Sequence, residues 1–301
     1  MSDLQENRTN RSLAERVPAF SAFRYPGFTY LWLSTLLWSA ARWMERVVLW
    51  WYVYQLTESA FLLGVVTAVQ WVPLLLLGPW MGVVADRFDR RRTIIFAQVL
   101  MLTVPLAMAY LILSGQIQLW HIIIVVLVSG TGVALDQPAR QALLYDQVGR
   151  EGAMNAQALY RLARHGPLII GALIAGGLMQ QIGPGPAFFA VAATYLVGLA
   201  LTFLIPTPPK MSDITSAWKH LLEGLSYIKG NRILLALFGV EIAGDIFGLP
   251  FQMLLPVLAR DVLGVGPMGY SVLFAASGVG ELGAALAIAS LGDFKAKRWL
   301  L

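Results

Sequence analysis

Three ionisable side chains near the middle of the first long apolar segment are the residues of this chain most able to do chemistry. Arg42, Glu45 and Arg46 are spaced so that one helix face carries all three. A charge at the centre of a bilayer costs at least ~2.5–3.5 kcal/mol, so charged residues in a spanning segment face the protein interior or a water-filled cavity. We therefore expect a cavity lining in which Glu45 takes up and releases a proton. The alternative is a static ion-pair cluster that holds this segment against its neighbours.

Acidic residues recur in the seventh and eighth apolar segments. Glu241 and Asp245 share one helix face, and two carboxylates this close resist ionising together, which suits a proton carrier. Their charge can face the surplus positive charge of the first segment across a central cavity, or form a purely structural salt bridge with it. Glu281 stands alone among glycines; it either faces the same cavity or makes a hydrogen bond between helices.

Aromatic residues supply candidate contacts to a substrate. Trp38, Trp43 and Trp71 can stack on a bulky aromatic or cationic molecule, whereas Trp50 and Trp51, nearer the outer end, are more simply an interfacial belt. No set of His, Cys and carboxylate residues has the spacing of a metal site, and no glycine-rich loop with Lys-Ser/Thr marks a nucleotide site. We therefore predict no enzyme activity, no metal, and no cofactor beyond a proton as coupling ion.

Composition indicates which elements must position these residues. The 301-residue chain is 57% hydrophobic and 13% charged, which is far from the soluble norm and typical of an integral membrane protein. Its apolar runs are uninterrupted over roughly 20 residues, which favours spanning helices over barrel strands. The net charge of +5 is spread over short loops, so the lipid bilayer and a small-molecule substrate are the expected partners. Nucleic acid is not an expected partner, and no obligate protein partner is evident.

The sequence predicts eight spans and their topology. The predicted spans cover approximately residues 28–55, 60–84, 93–113, 119–137, 156–182, 186–204, 233–257 and 268–291. The connections after the even-numbered spans carry nearly all the Lys and Arg, with Arg260 as the outward exception. The positive-inside rule therefore places both chain ends in the cytoplasm, and we expect a multi-pass protein of the inner membrane.

A polar connection divides the spans into two groups. Residues 206–232 begin with a proline-rich stretch and continue with apolar residues at helical spacing, which predicts an amphipathic helix on the inner membrane surface. The predicted organisation is a tail and six-helix bundle over 1–205, this linker, and a partial two-helix bundle over 233–301.

A highly charged turn, Gly82–Arg92, joins the second and third spans, and a similar turn, Gly292–Arg298, follows the eighth. Equivalent turns after the second span of each group indicate a repeated unit related by internal symmetry. A second group of six spans is then expected, and we interpret the chain as truncated after the eighth. Four further spans encoded beyond Leu301 would make it a fragment, whereas a stop codon there would argue against transport by a single copy.

Four sequence patterns in this order resemble a known family. The stretch Gly82-x-x-x-Asp86-Arg87-x-x-Arg90-Arg91 is similar to the signature turn between helices 2 and 3 of the major facilitator superfamily. The other three are Asp136-Gln-Pro-Ala-Arg140-Gln, Gly166-Pro167 with Gly171, and Leu255-Pro-Val-Leu-Ala-Arg260. Together they resemble the proton-driven exporters related to the macrolide and enterobactin efflux proteins. The resemblance runs from Phe23 to the end, and Asp89 departs from the glycine usual in the wider superfamily.

The resemblance implies an all-α membrane protein with the major facilitator fold. That fold has twelve helices in two halves, so this chain would hold a complete N-terminal six-helix bundle and the first two helices of the second. The resemblance also implies that helices 1 and 7 are symmetry mates flanking a central cavity.

The charged turn is expected, on the same resemblance, to act as a conformational latch. Gly82 would let helix 2 approach a neighbour closely, and Asp86 would accept from the positive end of a helix in the opposite half. Arg87 and Arg90 would pair with an acid at the cytoplasmic end of helix 4, for which Asp136, in the pattern that ends with Arg140, is the candidate. The alternative is that these arginines only set topology and stay solvated.

The fifth span carries a further pattern. Gly166-Pro167 with Gly171 predicts a kinked helix with a small-residue face for close packing. A similar pattern in exporters of this superfamily favours efflux, although ordinary helix packing explains it equally well.

These observations predict a secondary active transporter that exports bulky amphiphilic molecules, of drug or siderophore type, in exchange for protons by alternating access. The alternatives are a truncated, non-transporting membrane fragment and an importer on the same fold.

Overall fold

The computed structural model describes residues 18–206 and 231–290, within which it has eight α-helices. They are α1 (Pro26–Thr57), α2 (Ala60–Arg87), α3 (Arg90–Leu113), α4 (Leu119–His165), α5 (Pro167–Ile182), α6 (Pro184–Thr202), α7 (Arg232–Val257) and α8 (Pro267–Ser290). A 3₁₀-helix, Pro18–Arg24, precedes α1, and a π-helical turn, Leu258–Val262, follows α7. The predicted linker helix and the second charged turn lie outside the described residues.

Helix ends follow local sequence. Proline occupies the first turn of α1, α5 and α6, where its missing N–H would have no helical partner. Asp89 caps α3 by accepting a hydrogen bond of 2.8 Å from the Arg92 backbone N–H. Gly183 separates α5 from α6 at φ +84°, a value that glycine adopts without steric cost. Short, sharply capped connections therefore keep consecutive helices adjacent.

Five segments of the described chain are long and apolar enough to cross a membrane. They are Ala60–Gly78, Arg90–Leu113, Leu119–Gly149, Gly152–Ile182 and Pro184–Thr202. The remaining helices, α1, α7 and α8, have 32, 26 and 24 residues, which is enough length to span. The central part of α1 carries three charged residues.

The fourth span is longer than the sequence predicts. We expect its end at about residue 137, but the helix continues to Gly149, whose φ of +66° marks the reversal into the next span. The polar residues Asp136 and Arg140 suggest a helix end in the sequence, whereas in the structure they pair inside the bundle. The fifth span begins near Gly152 and is interrupted at Gly166, which separates α4 from α5.

Helices α1 to α6 form one bundle around α1. Within it α1 packs against α4, α5 and α6, while α2 packs against α4, and α3 against α4 and α6. Small residues permit the close crossings: a Cβ added at Gly130 would lie 2.2 Å from the backbone oxygen of Gln70. The second group attaches through α8, which packs along α5, and through α7, which contacts α2 and α1.

The end of α1 near Thr57 is the place where the two groups of helices meet tightly. Trp51 stacks on Tyr270 of α8 at 5.6 Å between ring centroids, and Trp50 meets Phe274 edge-on at 5.9 Å. On the π-helical turn, Arg260 pairs with Glu58 at 2.7 Å. The neighbouring Asp261 accepts a hydrogen bond from Tyr54. We call these contacts the outer clasp, because the positive-inside rule predicts that this end faces outward.

Candidate functional site

A cavity of about 360 Å³ lies between α1 and α7–α8, towards the middle of α1. Its polar lining consists of Ser39, Arg42, Arg46, Arg164, His165, Gln252 and Glu281, and its aromatic lining of Trp38, Trp43, Trp71 and Phe251. Gly244 and Gly248 of α7 complete the wall. Apolar walls with a few convergent polar groups are the usual form of a small-molecule site.

The structure brings most of the predicted cavity residues together. Arg42 and Arg46 of α1 lie on the cavity wall. The Arg42 guanidinium lies 5.2 Å from the centroid of the Trp38 ring, and the Arg46 guanidinium 4.6 Å from that of Trp43. Trp71 of α2 and Glu281 of α8 face the same space. The predicted tryptophans are thus part of one lining, and cations stack on two of them.

Glu45 departs from the predicted cavity lining. It is buried in the bundle, where its carboxylate accepts hydrogen bonds from Ser129 of α4 at 3.1 Å and from Tyr195 of α6 at 2.8 Å. Successive residues of a helix turn by about 100°, so Glu45 points between α4 and α6 while the two arginines point into the cavity. The alternative is a static ion-pair cluster. Neither arginine forms a salt bridge with Glu45 within the part of the chain that the structure describes, although the charges of Arg42 and Arg46 act on Glu45 at longer range.

Asp136 and Arg140 form a fully buried pair on α4. Two hydrogen bonds, of 2.7 and 2.9 Å, join the guanidinium to the carboxylate. Arg140 donates further to Ser34 at 3.3 Å and to Thr35 at 3.1 Å, and it lies 5.4 Å from the Trp38 ring centroid. Every face of this ion pair is therefore occupied by protein.

The prediction that Asp136 holds Arg90 is therefore wrong. Arg90 pairs with Asp146, near the end of the fourth span, and donates to the backbone oxygen of Ala142 at 3.3 Å. Because this span extends to Gly149, Asp136 lies well inside the bundle, whereas Asp146 is level with the start of α3.

The rest of the charged turn differs in part from expectation. A Cβ added at Gly82 meets no described atom within 4 Å, so the predicted close approach there is absent from the described structure. The side chains of Asp86 and Arg87 lie outside the described residues. Arg91 donates to the backbone oxygen of Phe203, just beyond α6. The described part of the turn thus connects α3 with α4 and with the end of α6.

The pattern in the fifth span has the predicted local structure. The helix is interrupted at Gly166, and Pro167 begins α5. A Cβ added at Gly171 would lie 3.2 Å from the backbone oxygen of Ala40 in α1, and one at Gly176 would lie 2.2 Å from the Ser271 hydroxyl of α8. This small-residue face holds α5 between α1 and α8.

The predicted acids of the seventh span remain a prediction. Glu241 and Asp245 belong to α7, but their side chains lie outside the described residues.

Residues 17–301 match the family described as transmembrane secretion effector, one of the families of the major facilitator superfamily. The chain belongs to this family. The match covers both groups of helices and confirms the resemblance carried by the sequence patterns.

Relatives of this chain are transporters and not enzymes. Macrolide efflux protein A of Streptococcus pyogenes is 23% identical over 83% of this chain and 62% of its own length. The staphyloferrin A transporter of Staphylococcus aureus is 26% identical over 77% of this chain and 59% of its own length. The chain thus spans about 60% of the length of these relatives.

Solved structures confirm the fold. A bacterial homologue of the lysosomal transporter Spinster, in an inward-facing conformation, superposes with a TM-score of 0.68 at 16% identity, over 89% of this chain and 64% of its own. The nucleoside transporter NupG superposes with a TM-score of 0.67 at 12% identity, over 89% of this chain and 69% of its own. The D-xylose–proton symporter superposes with a TM-score of 0.58 at 18% identity, again over 89% of this chain and 69% of its own. The chain therefore has the major facilitator fold over its described helices.

Sequence reasoning missed two kinds of residue. The first kind lines the cavity and comprises Ser39, Arg164, His165, Phe251 and Gln252. The second kind pairs with predicted residues: Ser129 and Tyr195 hold Glu45, and Asp146 holds Arg90. Isolated hydroxyls in apolar helices carry no signal of their partners. Asp146, however, follows a helical pattern continuous from Leu119, and that continuity could have placed it at the end of the fourth span.

Proposed function

We propose that this chain forms the N-terminal bundle and the first two helices of a secondary transporter that exports amphiphilic organic molecules. The observation that carries the proposal is the cavity between α1 and α7–α8, whose wall combines indole rings with guanidinium groups. Such a wall binds both the apolar body and the polar group of an amphiphile.

The outer clasp supports transport by alternating access. Aromatic stacking and ion pairing hold α1 against α8 and the π-helical turn at one end of the interface, while the cavity lies nearer its middle. Moving substrate out requires these contacts to separate and the opposite end to close. Rocking of one helix group against the other around a midplane site is the general way in which such transporters work.

Proton coupling is assigned to Glu45, with Asp245 as its counterpart in α7. Glu45 is one helical turn from Arg42 of the cavity and accepts hydrogen bonds from two hydroxyls. Gln70 donates to one of these, Ser129, at 3.4 Å. This short polar chain leads from the interior of the bundle towards α2. A carboxylate in such surroundings can exchange a proton when rocking changes its access to water.

Export rests on the family and on the name of macrolide efflux protein A. An importer is the second candidate, because the D-xylose–proton symporter has the same fold. We place the protein in the inner membrane with a cytoplasmic N-terminus on the distribution of basic residues.

Transport by the purified chain in liposomes tests this proposal. The probes are dansylated amphiphiles with charges of −1, 0 and +1, and movement is driven by a pH gradient. We expect movement of at least one probe that depends on the gradient, and its loss in Glu45→Gln and in Asp245→Asn. Tyr110→Phe is the control, since Tyr110 is an exposed ring of α3 that touches neither the cavity nor the outer clasp.

Gradient-driven movement that persists in both Glu45→Gln and Asp245→Asn would eliminate the proton-carrier role. A folded chain that moves no probe would instead support a non-transporting fragment. Accumulation on the side corresponding to the cytoplasm would favour the importer.

A further inference from the structure

We propose that the cavity selects organic anions, with a carboxylate held by Trp38, Ser39 and Arg42 and an aromatic body lying against the other tryptophans. This inference names the substrate class of the cavity and rests on the proposed function.

Unpaired hydrogen-bond donors converge on the cavity wall. The indole Nε1 of Trp38, the hydroxyl of Ser39 and Nη1 of Arg42 are all buried, and none has a hydrogen-bond partner among the side chains and backbone groups that the structure describes. The side chains of Trp38 and Ser39 are only 3% and 2% exposed. All three residues line the cavity and lie within about one turn of α1. A buried donor without an acceptor is unfavourable, so this wall is built for an acceptor that the ligand brings.

Neighbouring donors of the same types are paired. The indole of Trp43 donates to the backbone oxygen of Arg164 at 3.1 Å, and the guanidinium of Arg140 is enclosed by Asp136 and two hydroxyls. Other buried donors without a described partner are Nε of Arg90 and Arg91, Nη1 of Arg260, and the hydroxyls of Tyr270 and Ser271. The three arginines among them donate through another nitrogen of the same guanidinium group, whereas Trp38, Ser39 and Arg42 are three neighbours on α1 that all line the cavity.

The charge of the lining favours the same class of ligand. Three arginines and one carboxylate, Glu281, belong to its described part. Arg42 and Arg46 also border a smaller space of about 20 Å³ towards Gln70. An arginine binds a carboxylate through parallel hydrogen bonds, whereas a cationic ligand would meet surplus positive charge. An inside-negative membrane potential also drives an anion outward, which agrees with export.

The shape of the lining specifies the rest of the ligand. Trp43, Trp71 and Phe251 form an apolar wall beside the unpaired donors. A flat aromatic body fits there, with its carboxylate directed at the Trp38, Ser39 and Arg42 donors.

Binding of three probes with one ring system tests the inference without requiring transport. The probes are 2-naphthylacetate, 2-naphthylacetamide and 2-naphthylethylamine, titrated calorimetrically into the whole chain in nanodiscs of phosphatidylcholine. We expect the carboxylate to bind at least about tenfold more tightly than the amide, as a charge-assisted hydrogen bond allows, and the amine to bind most weakly.

Substitutions in the cavity wall test which residues cause the preference for the carboxylate. Arg42→Gln should abolish the preference for carboxylate over amide, and Ser39→Ala should weaken carboxylate binding by roughly threefold to tenfold while leaving the amide unchanged. Arg92→Gln is the matched control, because Arg92 is exposed at the start of α3, away from the cavity. Should Arg42→Gln fail to fold, Ser39→Ala alone decides the outcome.

Equal binding of the three probes, preference for the amine, or a carboxylate preference that survives in Arg42→Gln and Ser39→Ala would overturn the inference. Equal binding would mean that acids of the protein itself neutralise Arg42. Displacement of the carboxylate probe by added phosphatidylglycerol would also count against it, since the wall would then hold a lipid headgroup. Preferential binding of the carboxylate without any transport would refute the proposed function alone. Transport together with equal binding of the three probes would refute this inference alone.

Discussion

Two groups of polar residues lie on opposite sides of α1, and they differ in how their hydrogen bonds are satisfied. Towards α4 and α6, Glu45 and the Asp136–Arg140 pair are enclosed by hydroxyls and by each other. Towards α7 and α8, Trp38 and Arg42 present donors that lack described partners. The first group is complete without a ligand, and the second is not.

This difference separates structural from binding roles more clearly than residue type does. Both sides contain arginine, and both are rich in hydroxyl and aromatic groups. A satisfied buried network specifies one packing arrangement, whereas unsatisfied donors at a cavity remain only where binding recovers their cost. Substitutions in the two groups should therefore have opposite effects on stability and on binding.

Breaking the Asp136–Arg140 pair should have the largest effect on stability. Asp136→Asn leaves the fully buried Arg140 guanidinium without its counter-charge, and we expect a loss of about 3–5 kcal/mol in the free energy of unfolding. Denaturant titration of the detergent-solubilised chain measures it. The double variant Asp136→Leu/Arg140→Leu should recover most of the loss, because it removes both charges together. A loss below 1 kcal/mol for the single variant would show that water reaches the pair.

Removing one of the two hydroxyls that bind Glu45 should have the second-largest effect on stability. Tyr195→Phe deletes a donor to a buried carboxylate, and we expect a loss of about 1.5–3 kcal/mol in the free energy of unfolding. Tyr110→Phe, on an exposed ring of α3, is the matched control. If Tyr195→Phe is as mild as the control, the network does not stabilise the bundle and the comparison between the two sides of α1 fails.

Substituting a polar residue on the cavity side of α1 should lower the stability much less. Arg42→Gln removes no hydrogen bond of the described Nη1 atom. It loses its stacking on Trp38 and an interaction with the charge of Glu45 that is longer than a salt bridge, so stability should change by less than about 1 kcal/mol. The same denaturant titration measures it. A loss as large as that of Asp136→Asn would reveal a protein partner for Arg42 and would place it in the structural group.

Breaking the Glu58–Arg260 ion pair of the outer clasp should have the smallest effect on stability. Glu58 and Arg260 are 71% and 37% exposed, and an exposed ion pair contributes below about 1 kcal/mol. We expect Glu58→Gln to lower the free energy of unfolding within that bound at low ionic strength and to match the native chain in 1 M salt, where charges are screened over about 3 Å. A loss that salt leaves unchanged would show that the pair is shielded from solvent.

Sequence reasoning predicted the fold better than the site. Hydrophobic runs and turn residues located every described helix, because the bilayer requires long apolar segments and prolines and glycines terminate them. Arg42 and Arg46 of the cavity followed from helical spacing, and Trp38, Trp43 and Trp71 from the capacity of indole rings to stack on a substrate, whereas Arg164 was not predicted. Glu45 was misplaced because spacing defines an arc of the helix surface, while the neighbours of α1 decide which part of that arc faces the cavity.

The fourth helix shows a second limit. Asp136 and Arg140 suggest a loop in the sequence, since isolated charges are costly in a spanning segment. Their mutual neutralisation four residues apart removes that cost and allows the helix to continue. Whether two charges cancel depends on rotamers and on hydroxyls from α1, and these are features that the order of residues does not reveal.

The ring contacts between α1 and α8 have an energetic consequence for the proposed transport cycle. One stacked pair, Trp51–Tyr270, and two edge-on pairs, Trp50–Phe274 and Trp43–Phe274, join the two helices, and each contributes roughly 0.5–1.5 kcal/mol beyond its buried area. In that proposed cycle, the need to separate them would hold the outward-open form at a minor population, on the order of 1%. A transported molecule would then have to bind that form more tightly by a few kcal/mol, so these rings would set a minimum affinity difference below which a molecule occupies the cavity without being moved.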